Sequence, residues 1–323
     1  MRFSKARHSL AESAPMKKIL PLLCLAALLP QAATAQDTPP SENSIVVTAQ
    51  RSGAPMWTID TPTGAIILVG EIRAIPETTP WQPDRLKDAT GQASRVILGA
   101  KPKISPGDVL RLMFSGSKFT KLPDKTEARE YLDDAQWARL AALGEAHDED
   151  YARKSFLLTS FQMLRKELRF NRDTTDDASD VVRKAAGKAK VPTERAATLR
   201  GEDIIDNLAD AEPSAHIPCL TAAMDAVEAG PDIVEQRGAD WRRYDIPSVM
   251  ANPLEQALGQ CWPWADETLG SELRTIWVEA INRARAEPGV TLAVVPLRVL
   301  AETDGVLDRL EAQGLDIAGP DWK

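Results

Sequence analysis

The chain has 323 residues, 39 Lys and Arg against 47 Asp and Glu, a net charge of −8 and 43% hydrophobic residues. An acidic balance without a basic patch argues against partners recognised by bulk positive charge, namely nucleic acid and anionic membrane surfaces. The N-terminus reads first. Met16-Lys17-Lys18 is a short positive segment and Ile19 to Leu29 an apolar one, interrupted by Pro21 and too short to span a bilayer. Ala33-Thr34-Ala35 is a small-x-small cleavage sequence, followed by polar Gln36-Asp37. This is the pattern of a cleavable export signal over residues 1–35, with translation expected to start at Met16 because the fifteen residues before it are polar. Cys24 follows Leu23, where a lipoprotein signal needs a small residue, so no lipid anchor is expected. Cleavage near Ala35 removes five basic residues (Arg2, Lys5, Arg7, Lys17, Lys18) and one acidic residue (Glu12), which leaves 34 against 46 and a net charge of −12. The mature chain is expected in the periplasm or secreted, without a membrane span.

Residues 36–54 form a polar leader rich in Pro, Ser, Thr and Gln, in which Ile45-Val46-Val47 is a candidate edge strand. Folding is expected from Pro55, in a single domain of about 270 residues, enough for a substantial core. Met56 to Asp60 and Ala65 to Glu71 flank the turn sequence Thr61-Pro62-Thr63-Gly64 and read as a hairpin. Ile66-Ile67-Leu68-Val69 is apolar without alternation, as in a strand buried on both faces. A helix from Pro83 to Gln92 leads to a third strand, Arg95 to Leu98. Helical periodicity then runs through Asp133–Leu143, Tyr151–Phe170, Asp176–Ala189, Ala215–Ala229, Ile233–Tyr244 and Leu269–Ala286. Val290 to Val295 is a fourth strand, followed by a helix over Asp304–Gln313 and a short strand near Leu315–Ile317. The expected fold is mixed α/β, with one central sheet built from N-terminal and C-terminal strands and a large helical insert over about 130–286.

Two cysteines remain after export, Cys219 and Cys261. In an oxidising compartment an isolated pair is most simply a disulfide, closing a loop of about 40 residues; a reactive thiol or a metal pair is the alternative. Trp262-Pro263-Trp264 suggests carbohydrate stacking, but the tryptophans are dispersed and Trp57, Trp137 and Trp277 fall on apolar faces, so core packing is the better reading. The acidic run Asp173–Asp180 reads as a solvated helix start.

The order of these parts resembles the TraB/GumN family, relatives of the TIKI metalloproteases and distantly of the ChaN and erythromycin-esterase-like folds. Met56-Trp57 through Ala65 to Gly70 looks like the family's opening hairpin, which runs into a Gly-x-x-His motif. Ala186-Gly187-Lys188 before Val191 and Leu199 looks like its central stretch. Trp277 to Val295, with Arg283 and Pro288-Gly289, looks like the approach to its second Gly-x-x-His. The resemblance implies two histidines and a strand-borne carboxylate holding a divalent ion that activates water. This chain departs at each place. The first motif reads Gly70-Glu71-Ile72-Arg73, the carboxylate strand reads Val96-Ile97-Leu98, and the second motif reads Pro296-Leu297-Arg298-Val299. Arg is permanently cationic, and Leu and Val offer no donor atom. The mature chain's only histidines, His147 and His216, lie away from strand ends; His147, in an acidic stretch that could attract a cation, reads as a solvated helix junction and His216 as a structural or surface histidine, and no nucleophile elbow, Walker loop or zincin motif is present.

The resulting expectation is an exported, catalytically degenerate family member without metal or cofactor that acts by binding. The alternatives are a hydrolase with a rebuilt site and a cell-envelope interaction module. Gly70, Glu71, Arg73 and Arg298 are the candidate anchoring residues. Arg73 and Arg298 lie just past two strand ends, where a pair of guanidinium groups suits an anionic small molecule or pairs with protein carboxylates such as Glu71. An envelope protein is the other candidate partner.

Overall fold

The computed structural model describes residues 52–103, 105, 116, 119–201, 211–261 and 263–323. The expected signal, most of the leader including Ile45-Val46-Val47, and Trp262 lie outside the described residues.

Strands β1 (Met56–Thr61) and β2 (Gly64–Glu71) form the expected hairpin, pairing from Thr61↔Gly64 to Met56↔Val69. The remaining strands are β3 (Arg95–Leu98), β4 (Lys101–Lys103), β5 (Thr193–Arg195), β6 (Thr198–Arg200) and β7 (Gly289–Pro296). The main sheet has the order β1-β2-β7-β3-β5, so the C-terminal strand lies in the middle between two N-terminal ones. Strand β7 runs parallel to β2 in the register Gly64↔Gly289 through Glu71↔Pro296, which brings their C-terminal ends level. The apolar runs explain the position. Leu68, Val69, Leu292, Ala293, Val294 and Val295 are at most 1% exposed, as interior parallel strands covered on both faces must be. Each larger side chain buried this way contributes about 1.5–3 kcal/mol. The fold is therefore mixed α/β, with its sheet assembled from both ends of the chain.

Two departures have local causes. The stretch that reads as wholly helical contains β5, which joins the main sheet beside β3, and β6, which pairs with β4 in a separate two-stranded ladder. Strand β5 is three exposed residues long, too short to leave an alternating pattern. The strand expected near Leu315–Ile317 is a single bridge, Thr58↔Ala318. Continuing it one way would require an N–H from Pro320, which has none; the other way would set Asp316 opposite Asp60. The Pro320 carbonyl instead accepts from Trp57 Nε1 at 2.8 Å.

The helices among the described residues are α1 (Asp84–Gln92), α2 (Asp134–His147), α3 (Phe156–Lys166), α4 (Ala178–Ala189), α5 (Ile217–Ala229), α6 (Asp232–Arg243), α7 (Ile246–Ala251), α8 (Pro253–Gln260), α9 (Glu267–Arg285), α10 (Leu297–Ala301) and α11 (Val306–Ala312). The expected helix over Tyr151–Phe170 shortens to α3 because Ser155 takes the N-cap, its side chain accepting from Leu158 N. Helices α7 and α8 are absent from the periodicity. Their prolines, Pro247 and Pro253, read as breakers but occupy first-turn positions, where no N–H is needed. Trp57, Trp241 and Trp277 fill the sheet's core, each at most 1% exposed. Trp137 packs half-buried against a second cluster around Leu140, Phe156 and Met224.

Helices α5 and α8 pack together, and the Sγ atoms of Cys219 on α5 and Cys261 just past α8 lie at disulfide distance, 1.99 Å. Titration of denatured, unreduced protein produced in an oxidising compartment is expected to find close to no free thiol. The Cys219→Ala/Cys261→Ala variant is expected to lose about 4 kcal/mol by loop-closure entropy, read from denaturant midpoints; two free thiols or an unchanged midpoint would refute the bond.

Candidate functional site

In an open α/β sheet, ligands bind beyond the carboxyl ends of the strands. Here that edge is formed by the last residues of β2 and β7 and the segments after them. Gly70, paired with Val295, is a place of close approach: a Cβ there would lie 2.8 Å from Leu297 Cδ1 and 2.9 Å from Trp57 Cζ3. Its carbonyl accepts from Trp241 Nε1 at 2.8 Å, which ties α6 to the strand end. Arg73 is exposed and makes no ion pair among the described residues. The next residue, Ala74, is buried in the left-handed conformation at φ 58°, a strained turn of the kind found at functional sites. The Ile75 carbonyl then accepts from Thr175 N at 2.9 Å, joining this loop to the segment that enters α4.

Glu71 is 6% exposed and points at the N-terminus of α4, where Oε1 accepts from Ser179 N at 2.7 Å. That helix start is fixed by Asp177, whose carboxylate caps Asp180 N at 3.0 Å. Burial, and then the negative charge of Asp177, push the Glu71 pKa up to about 7. The hydrogen bonds from Ser179 and the positive charge of Arg73 pull the other way and only partly compensate.

Arg298, two residues past β7, is not free. Its side chain is 12% exposed and its Nε lies 3.3 Å from Glu255 Oε1, while Nη2 contacts the Glu255 carbonyl. Glu255, on α8, is 4% exposed and also receives Arg237 of α6, at 2.6 Å to Oε2. Arg237 in turn donates from Nη1 to the Arg73 carbonyl at 3.0 Å. Burial alone would raise the Glu255 pKa, but Arg237 and Arg298 together hold it below the usual carboxylate range. The three residues form a buried network of net charge +1 under the sheet edge. Gly259, one helical turn after Glu255, makes room for it: a Cβ there would collide with the Arg298 guanidinium. Gly259→Ala is expected to cost about 1–3 kcal/mol by overpacking, measured as a lower denaturation midpoint at unchanged slope. An unaltered midpoint would mean that Arg298 moves aside freely.

The divalent ion that the resemblance implies does not fit these residues. Its three positions hold Arg73, Leu98 and Val299; Leu98 and Val299 are 4% and 2% exposed and packed in the apolar core. Glu71 and Asp177 are the nearby carboxylates, and among the described residues no group of three His, Cys, Asp or Glu is arranged to hold a metal ion. His147 is tied at the end of α2, its Nδ1 2.6 Å from Glu167 Oε2, rather than standing in solvent. His216 is partly buried in the turn before α5, and burial lowers its pKa. Thus Gly70, Glu71 and Arg73 sit together at the strand end, whereas Arg298 is sequestered by Glu255 rather than facing Glu71. Sequence reasoning missed Ser179, Arg237, Glu255 and Gly259. A signal existed for Arg237: with Val234, Gly238 and Trp241 it lies on the apolar stripe of α6, and a charge buried there demands a partner.

No curated protein and no solved structure matches the chain. The model of the TraB/PrgY/gumN family matches residues 55–318, covering both the hairpin and the C-terminal strand unit that build this edge, and the chain belongs to that family.

Proposed function

We propose that this chain is an exported family member whose hydrolytic metal site has been replaced by fixed internal charge, and that it acts by binding an anion at the sheet edge rather than by metal-dependent turnover. The observation that carries this reading is the substitution of Arg73, Leu98 and Val299 at the ligand positions, above the buried Arg237–Glu255–Arg298 network. Gly70 lets Leu297 and Trp57 pack closely against the strand end, Arg73 is an exposed cation beyond it, and the network beneath supplies a positive floor. Export is supported by the signal-like N-terminus and by the cysteine pair. No helix among the described residues is long and apolar enough to cross a membrane.

The test has two parts. Metal analysis after chelator-free purification is expected to find substoichiometric Zn, Mn and Co. A thermal-shift screen of anionic metabolites is expected to give a stabilising anion whose effect is lost in Arg73→Ala, a variant at an exposed position that leaves the core intact. Stoichiometric metal, or an anion effect that survives Arg73→Ala, would refute the reading. One observation favours a second reading. A buried carboxyl with a pKa near neutrality suits general acid–base work, so a rebuilt hydrolase would use Glu71, and its turnover would vanish in Glu71→Gln.

A further inference from the structure

Helices α1 and α4 pack side by side, and residues of both line a groove of about 740 Å³, a size in the range of small-molecule sites. Its floor is apolar. Val181 is 5% exposed, and Ala185 and Ala189 follow it along α4. One wall is the ring of Trp81, held by its Nε1 donating to the Asp176 carbonyl at 3.1 Å and by edge-on packing against Trp241 at 5.1 Å. Gly91 of α1 lines the groove, and a Cβ there would stand in open space with nothing within 4 Å.

The rim carries three amines. Lys184 and Lys188 stand one turn apart on α4, and Lys87 faces them from α1. Lys87 pairs with Asp84 at 3.0 Å and Lys184 with Asp176 at 2.5 Å, both as exposed pairs that a ligand displaces cheaply. Lys188 has no ion pair among the described residues. On a chain of net charge −8, the groove is lined by three amines against two carboxylates, Asp88 and Asp176, a local balance of +1 beside an apolar floor. A compact inorganic anion would leave the trough unused, and a neutral hydrocarbon would leave the amines unused. Lysine stems also extend the apolar wall while their charged ends reach a headgroup.

We propose that this groove binds an anionic amphiphile, a carboxylate or phosphate headgroup on an extended apolar chain, with the tail along Trp81, Gly91 and Val181 and the headgroup at Lys184 and Lys188. The groove's lining includes none of Gly70, Glu71 and Arg73.

Isothermal titration of the mature chain with sodium laurate below its micelle concentration tests this. One saturable site is expected, weakened at least tenfold in Lys184→Glu/Lys188→Glu and abolished in Gly91→Phe, which fills the groove without touching the core. Dodecyltrimethylammonium and inorganic phosphate are expected to bind at least tenfold more weakly than laurate. Far-UV circular dichroism checks that the variants are folded, and the exposed lysine positions make the charge reversal safe for folding. Absence of saturable laurate binding, binding that survives both variants, or equal binding of the cationic amphiphile overturns the proposal. Arg73→Ala is expected to leave laurate binding unchanged; loss there with full binding in the groove variants would assign the ligand to the sheet edge instead.

Discussion

Glu71→Gln is expected to stabilise the protein at neutral and alkaline pH and to leave it nearly unchanged in mild acid. The folded-state pKa of about 7 lies above the ordinary value of 4.5, because burial and Asp177 disfavour the charged form. Below pH 4.5 the carboxyl is protonated whether the chain is folded or not. Between 4.5 and 7 the unfolded chain releases the proton while the folded one keeps it, so stability falls as pH rises. Above 7 the cost is constant, roughly 3 kcal/mol from the size of the shift. Gln remains neutral throughout and keeps a carbonyl oxygen for the Ser179 N–H, although its own amide hydrogens need partners and will consume part of the gain. For a chain of this size, a gain of about 1–3 kcal/mol corresponds to some degrees of Tm. Melts of wild type and variant at pH 4.5, 6 and 8 would reveal a difference that opens with pH. A difference independent of pH, or a variant that loses stability as pH rises, would show that Glu71 is not held protonated. The same titration bears on the sheet-edge site, since ionised Glu71 would compete with an incoming anion for Arg73.

What was legible in the sequence follows from range. The hairpin announces itself through contiguous signals: an unbroken apolar run on one side of a Thr-Pro-Thr-Gly turn. The partnership of β2 and β7 bridges more than two hundred residues and was readable because both runs are apolar on both faces, so each demands an interior position in a sheet. The charge network offers no such signal. Arg298 is two residues past a strand end and reads as available, but its partner Glu255 lies on α8, a helix hidden by its own leading proline. The glycine that lets the guanidinium lie against α8 looks like any helix-weakening residue until the facing side chain is known. Short strands are lost for a related reason: β5 has three exposed residues, and its pairing is set by β3, not by its own pattern. The departures from the resembled motifs are read residue by residue, because a Leu or Val side chain cannot donate in any fold.

Glu255→Ala is expected to be among the most damaging single substitutions in the chain. It would leave Arg237 and Arg298 facing one another with no counter-charge, at side-chain exposures of 5% and 12%. Removing one partner from a buried ionic group typically costs about 3–5 kcal/mol, because the remaining charges stay desolvated. Glu255→Gln should fall between, since it keeps the acceptor oxygen and the shape but not the charge. Replacing all three residues together, as Arg237→Met/Glu255→Leu/Arg298→Met, removes the desolvation cost along with the attraction and is expected to recover most of the loss. Denaturant unfolding of the single, conservative and triple variants checks the series. A Glu255→Ala cost below about 1 kcal/mol, or a triple variant less stable than the single one, would mean that the network does not behave as a buried ionic unit. The consequence for binding has the opposite sign. In wild type Glu255 consumes most of the charge of Arg298, and Arg73 alone is left exposed at the edge. In folded Glu255→Gln the positive potential beneath that edge is larger, so any anion that depends on Arg73 should bind more tightly to this variant than to wild type. Equal or weaker binding would separate the buried network from the site above it and leave it a purely structural clamp between α6, α8 and the end of β7.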